Sequence, residues 1–219
     1  MDIISLRRRI ETIIHRPSSE LIPGILGSGL SCIRCGWCCR ENFMINITQG
    51  IQRPSNAISI FPDDIKRIMK GTGKLWDEVA QPDIYSCLSE GESILAIGWI
   101  LRRNDEKDCI FYRKNECSIY RWRPMICRCY PFFMGSQEID VMHCDRGQGK
   151  IPEEGAAGIA KMMKRYEIKK LQSYIRIISQ LGERLKMANL RSLPQDFAGE
   201  ILVYDGEMIS KRQIKYPGA

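Results

Sequence analysis

The chain has 219 residues, 44% of them hydrophobic and 27% charged, with ten cysteines and a formal net charge of +7. That length supports one core with at most a small subdomain. Cysteine, at about one residue in twenty, falls short of the density of a disulfide-held secreted scaffold. Lys and Arg are spread along the chain rather than blocked together, which argues against nucleic-acid binding.

The opening stretch "MDIISLRRRIETIIHRP" places Ile3, Leu6, Ile10, Ile13 and Ile14 on one face at helical spacing, with Pro17 just beyond the end, and predicts an amphipathic helix. It lacks the apolar run and small-residue cleavage site of a secretory signal. No stretch reaches the eighteen or so apolar residues of a membrane span. A cytoplasmic protein is expected, and in a reducing compartment clustered cysteines mean metal or catalysis more often than disulfides.

Next, "RPSSELIPGILGSGLS" reads as a linker or wrapped loop. Its Gly24, Gly27 and Gly29 follow no strand and match no phosphate-binding fingerprint. Short strands are expected at "FMINIT" and "AISIF", then a helix over "FPDDIKRIMKGTG" with acidic residues in its first turn and Gly71 at its end. "LWDEVAQ" adds a further turn. "DIYSCLSEGESILAIGWILRR" predicts a hairpin about Gly91, with Cys87 a buried, inert thiol in its first strand. Residues 151–187 read as helical, their apolar face running through Ile159, Met162, Met163, Tyr166, Leu171, Tyr174, Ile175, Ile178, Leu181 and Leu185. Asp205–Gly206 signals a closing hairpin. The expected class is α+β: an N-terminal helix and linker at 1–29, a cysteine-cluster metal-binding domain at 30–150, and helices with a hairpin at 151–219 packed on the same domain.

The cysteines carry the chemistry. "SCIRCGWCCR" holds Cys32, Cys35, Cys38 and Cys39, and the x2, x2 rhythm lets successive thiolates converge on a metal centre. Neighbouring side chains in extended chain point apart, so Cys38 and Cys39 could share one ion only with difficulty; a second metal or a cluster with several corners relieves this. In the second block, "DCIFYRKNECSIYRWRPMICRCYPFF", Cys109 and Cys117 flank a hairpin turning at Lys114 and Asn115, which would make them cross-strand neighbours. Cys127 and Cys129 lie between Pro124 and Pro131, and Cys144 follows a β-prone run. Histidine is scarce: His15 reads as a surface residue, and His143 stands beside Cys144 as a candidate ligand or proton donor. An all-thiolate site suits zinc, iron–sulfur clusters or Cu(I). Arg34, Arg40, Arg121, Arg123, Arg128 and Arg146 would offset thiolate charge and donate to sulfur. Trp37, Tyr120, Tyr130, Phe132 and Phe133 would wall the site.

In order and spacing these blocks, with "HCDRGQGK", resemble the CxxCxxCC family of YkgJ-like zinc- or iron-chelating domains over roughly residues 30 to 150. The resemblance implies metal ligands at Cys32, Cys35, Cys38, Cys39, Cys109, Cys117, Cys127 and Cys144. Cys87 and Cys129 are extra to the pattern, and Cys129 is an additional candidate ligand. One branch of the family is similar to flagellin lysine methylases, but no glycine fingerprint for a nucleotide-like cosubstrate stands in this chain. The leading expectation is one or two iron–sulfur clusters, of the [4Fe–4S] type, in electron transfer to a redox partner protein or in an oxidoreductase. A zinc-stabilised structural or interaction module is the alternative, and a cluster-dependent protein methylase the third. Iron is placed ahead of zinc on the sulfur count, the adjacent cysteine pair and the resemblance.

Overall fold

A computed structural model describes residues 2–40, 43–48, 51–90, 93–135, 138–142, 144, 147, 149–187, 189–194, 197–205 and 207–215. In chain order the elements are α1 (Ile3–His15), α2 (Ile22–Gly27), β1 (Met44–Thr48), β2 (Ile51–Pro54), β3 (Ser59–Ile60), α3 (Pro62–Thr72), α4 (Trp76–Val79), β4 (Ala80–Pro82), β5 (Cys87–Glu90), β6 (Ser93–Ala96), β7 (Trp99–Leu101), β8 (Tyr112–Arg113), β9 (Glu116–Cys117), α5 (Met125–Cys129), β10 (Phe132–Met134), β11 (Ile139–Val141), α6 (Glu153–Met187), β12 (Asn189–Arg191), β13 (Ala198–Tyr204) and β14 (Ile209–Lys215). This is an α+β fold. It divides into two compact units, Met1–Cys35 with Arg123–Ser179, and Gly36–Trp122 with Gln180–Ala219.

The first unit is mostly helical. Asp2 caps α1 by accepting from the Ser5 amide at 2.9 Å. Leu6 and Ile13 are buried with Leu171 of α6, and Ile10 packs against them. Ile14 is 55% exposed instead. It lies one residue, or about 100° of helix, beyond Ile13 and cannot share its face. The expected linker after α1 is helical: a 3₁₀ turn at Ser18–Leu21 leads into α2, with Pro23 in its first turn where no amide partner is lost. Leu21 and Ile25 from this segment join Cys129, Phe132, Ala156, Ala160 and Met163 in the unit's main core cluster. On α6, Glu167 is 2% exposed and is held by Arg9 at 2.9 Å and Lys170 at 2.5 Å. Tyr174, placed on the buried face by periodicity, is 44% exposed, while Ile177 is buried.

The second unit holds the larger sheets. β3, β7 and β4 form an antiparallel sheet in the order β3-β7-β4, and five strands run β12-β5-β6-β13-β14, with β13 parallel to β6. The β5–β6 and β13–β14 hairpins stand where the sequence placed them; Gly91 and Gly206 lie outside the described residues. β7 leaves the first hairpin to pair with β3 and β4. α3 starts at Pro62, and Asp64 accepts from the Phe61 amide at 3.5 Å. It ends at Gly73, whose φ of +71° is the left-handed cap, and not at Gly71. Gly71 sits inside the helix because the Trp122 ring packs on it: a Cβ there would lie 2.3 Å from Trp122 Cδ2. Among the described residues, no helix is long and apolar enough to cross a membrane.

Candidate metal centre

The boundary between the units falls inside the first cysteine block, after Cys35. Cys38, Cys39, Cys109 and Cys117 therefore belong to the second unit, and Cys32, Cys35, Cys127 and Cys144 to the first.

In the second unit the adjacent pair is not extended. Gly36, at φ +71°, starts a single 3₁₀ turn over Trp37–Cys39, closed by the Cys39 amide on the Gly36 carbonyl at 2.9 Å. The alternation that set Cys38 and Cys39 apart in the sequence reading is thereby removed, because a 3₁₀ turn advances about 120° per residue and not 180°. The Cys39 thiol hydrogen-bonds to the sulfurs of both Cys109 and Cys38, and Cys117 is close enough to act on it electrostatically. Its acidity is suppressed well beyond that of an ordinary thiol, first by the bond to Cys109, then by burial and the neighbouring sulfurs, with the bond from Cys38 acting the other way.

Backbone contacts lock this arrangement. The Cys109 amide donates to the Cys39 carbonyl at 2.8 Å. Asn56, 1% exposed, donates through Nδ2 to the carbonyls of Cys39 at 3.2 Å and Lys107 at 2.8 Å. Arg103 donates from Nε to the Lys107 carbonyl and from a terminal nitrogen to the Tyr85 hydroxyl, both at 2.8 Å. Lys114 and Asn115, at φ +50° and +62°, turn the β8–β9 hairpin as anticipated. Its cross-strand pair is Tyr112 with Cys117; Cys109 is bridged to Arg103 instead and reaches the site through the turn closed by the Tyr112 amide on its carbonyl. The Tyr112 ring lies over Gly36, where a Cβ would come within 2.1 Å of Tyr112 Cε2. Neither Asn56 nor this glycine–tyrosine contact was found by sequence reasoning. The glycine within "CGWCC" was the one available signal; Asn56 gave none.

In the first unit, Cys32 is exposed and Cys35, Cys127 and Cys144 are half-buried. The segments bearing Cys32 and Cys144 meet: the Gly149 amide donates to the Gly29 carbonyl at 3.2 Å, and a Cβ on Gly147 would lie 2.9 Å from Cys144 Sγ and 3.0 Å from the Ser31 carbonyl. Cys127 and Cys129 share the short helix α5, and Cys129 is turned into the apolar core. Cys87 is buried in the second unit, and burial pushes its thiol up to about 12. Arg40 approaches Asp108 at 3.9 Å, Arg121 lies over the Trp122 ring, and Arg128 donates to the Arg123 carbonyl. Trp37 is tilted against Phe43, and Phe132 is core. His15 is exposed, and His143 and Arg146 lie outside the described residues. Among the described residues, no group of three or more Cys, His, Asp or Glu side chains is placed so that it could hold a metal ion; what the chain supplies is thiols brought near one another.

Thiols drawn together from a tight turn and the 109–117 segment, with no described histidine among them, are the arrangement of a cysteine-cluster protein. The chain belongs to the family described as "CxxCxxCC: Putative zinc- or iron-chelating domain", whose model matches residues 31–156. No curated protein and no solved structure gives a match. Membership supports metal binding, with zinc or iron as the metal.

Proposed function

We propose that the chain is a thiolate metal-binding protein with two four-cysteine sites, one drawn from each unit: Cys38, Cys39, Cys109 and Cys117 in the second, and Cys32, Cys35, Cys127 and Cys144 in the first. The observation that carries this reading is the meeting of Cys39 with Cys38 and Cys109, with Cys117 beside them. Four sulfurs bonded at about 2.3 Å to one tetrahedral ion lie about 3.8 Å apart along each edge, close to the reach of a thiol–thiol hydrogen bond. The second unit's set therefore favours a single ion, zinc or iron, over a cluster that spreads its ligands across several corners. Bound there, the ion would supply folding free energy by tying the turn at 37–39 to the 109–117 segment.

An iron–sulfur cluster remains the reading for the first unit's set. It is favoured by exposure: Cys32 is open to solvent and its three companions are half-buried, which suits one-electron exchange with a redox partner protein. Metal and acid-labile sulfide analysis of anaerobically prepared full-length protein tests both. The expected result is about one zinc or iron without sulfide, lost in Cys38→Ser/Cys109→Ser, and about four irons with sulfide, lost in Cys32→Ser/Cys127→Ser. Metal-free protein, or full loading in the Cys38→Ser/Cys109→Ser variant, would overturn the proposal. Stoichiometric zinc without sulfide in the first unit's set would replace the cluster by a second structural ion.

A further inference from the structure

Away from the cysteines, the second unit carries a cavity of about 430 Å³ lined by β4, β14 and their neighbours: Asp77, Ala80, Gln81, Pro82, Trp99, Arg102, Lys211, Arg212, Gln213 and Ile214. β4 and β14 are edge strands of two different sheets. The polar groups around this space are mostly donors. Of its three cations, Lys211 is paired with Glu200 at 2.9 Å, and Arg102 and Arg212 stand beside the one lining carboxylate, Asp77. That carboxylate is 71% exposed and only 3.9 Å from Arg212 at its nearest.

Two of the donors are buried without an acceptor. Trp99 is 3% exposed and its indole Nε1 has no hydrogen-bond partner, and neither has the buried Nε of Arg212. Buried N–H groups are almost always satisfied; both orphans belong to residues that line this cavity, and because each nitrogen is itself closed to the open space, an acceptor reaches them once these side chains shift. The Arg212 guanidinium stands 5.9 Å from the Trp99 ring centroid. Trp76 meets the same ring edge-on at 5.3 Å, which fixes the indole in place. Arg102 is anchored by its bond to the Asp77 carbonyl at 3.0 Å. Ala80, Pro82, Ile214 and the indole itself supply apolar wall.

We propose that this cavity binds a small organic anion: a carboxylate or phosphate group received by Trp99 Nε1, Arg212 and Arg102, on an apolar body that fills the remaining space. Paired donors of this kind suit the several lone pairs of such groups, and a guanidinium receives them with two parallel bonds. The volume is that of a small-molecule site and not of a peptide groove.

The test uses the full-length, metal-loaded protein with phenyl phosphate and benzoate as probes. Amide and indole NMR shifts locate binding, and calorimetry measures it. Saturable movement of the Trp99 indole N–H with a Kd below about 1 mM is expected for at least one probe, with sodium chloride at matched ionic strength giving none. Affinity should fall at least about tenfold in Arg212→Gln, and likewise in Arg102→Gln and Trp99→Phe, which keeps an aromatic ring, smaller than the indole, and removes the donor. The probe that binds identifies the anion as phosphate or carboxylate. Unsaturable shifts with both probes, or affinity unchanged in the variants, would overturn the assignment.

Discussion

At the scale of single residues, the second unit's thiols are held by a neighbour that has no sulfur. Asn56 is buried and spends its amide protons on two backbone carbonyls, Cys39 and Lys107, that flank the site on either side of the 109 turn. Asn56→Ala removes both bonds, while the Cys109 amide still donates to the Cys39 carbonyl and Arg103 Nε to the Lys107 carbonyl, so the loss is that of two hydrogen bonds, about 1–3 kcal/mol. Denaturant unfolding should register that loss, and metal should pass to a competing chelator faster than from the parent. Asn56→Asp is the sharper control, since it keeps the size but turns an acceptor toward the same carbonyls, so it should destabilise at least as much as alanine. An unchanged chelation rate in both variants would show that Asn56 serves stability alone.

At the scale of elements, α5 turns one of its two cysteines, Cys129, into the apolar core. Residues two apart on an α-helix lie about 200° around its axis, so with Cys129 among Leu21, Ile25 and Phe132, Cys127 looks the other way. Cys129→Ala is therefore expected to keep the full metal complement while costing about 1 kcal/mol of buried contact, and Cys127→Ala to lose the first unit's metal. Metal stoichiometry beside a melting curve separates the two; loss of metal in Cys129→Ala would move the ligand role to it. The same contrast marks what could be read from the chain. Hairpins at 112–117 and 198–215 were legible because their turns are encoded within a few residues, and α1 and α6 because their apolar spacing is helical. The helix at 22–27 was hidden by Pro and Gly, which read as loop, although Pro is tolerated in a first turn. The pairing of β7 with β3 and β4, and the parallel β13–β6 pair, depend on distant segments that no local pattern announces. The thiols themselves were legible from spacing, but not the division of the CxxCxxCC block between Cys35 and Cys38, which follows from tertiary packing.

At the scale of the whole molecule, the formal charge of +7 is that of a chain whose cysteines are all protonated. Ligand thiols must ionise to bind metal and release their protons on doing so. Eight thiolates with two divalent ions, or with two clusters whose inorganic cores carry +2, bring a net −4, so the loaded protein should carry about +3. One occupied site alone would leave about +5. Electrophoretic mobility at pH 7 before and after metal removal under reducing conditions, calibrated against lysine-acetylated rungs of the same protein, counts this change directly. Removal from both sites should raise the charge by about four, and removal from a Cys38→Ser/Cys109→Ser variant by about two. A change of about two in the parent would mean that one four-thiolate centre, and not a pair, serves the entire chain. A change near zero would mean that the bound metal takes few ionised sulfurs, and the positive surface would then need an explanation outside its metal chemistry.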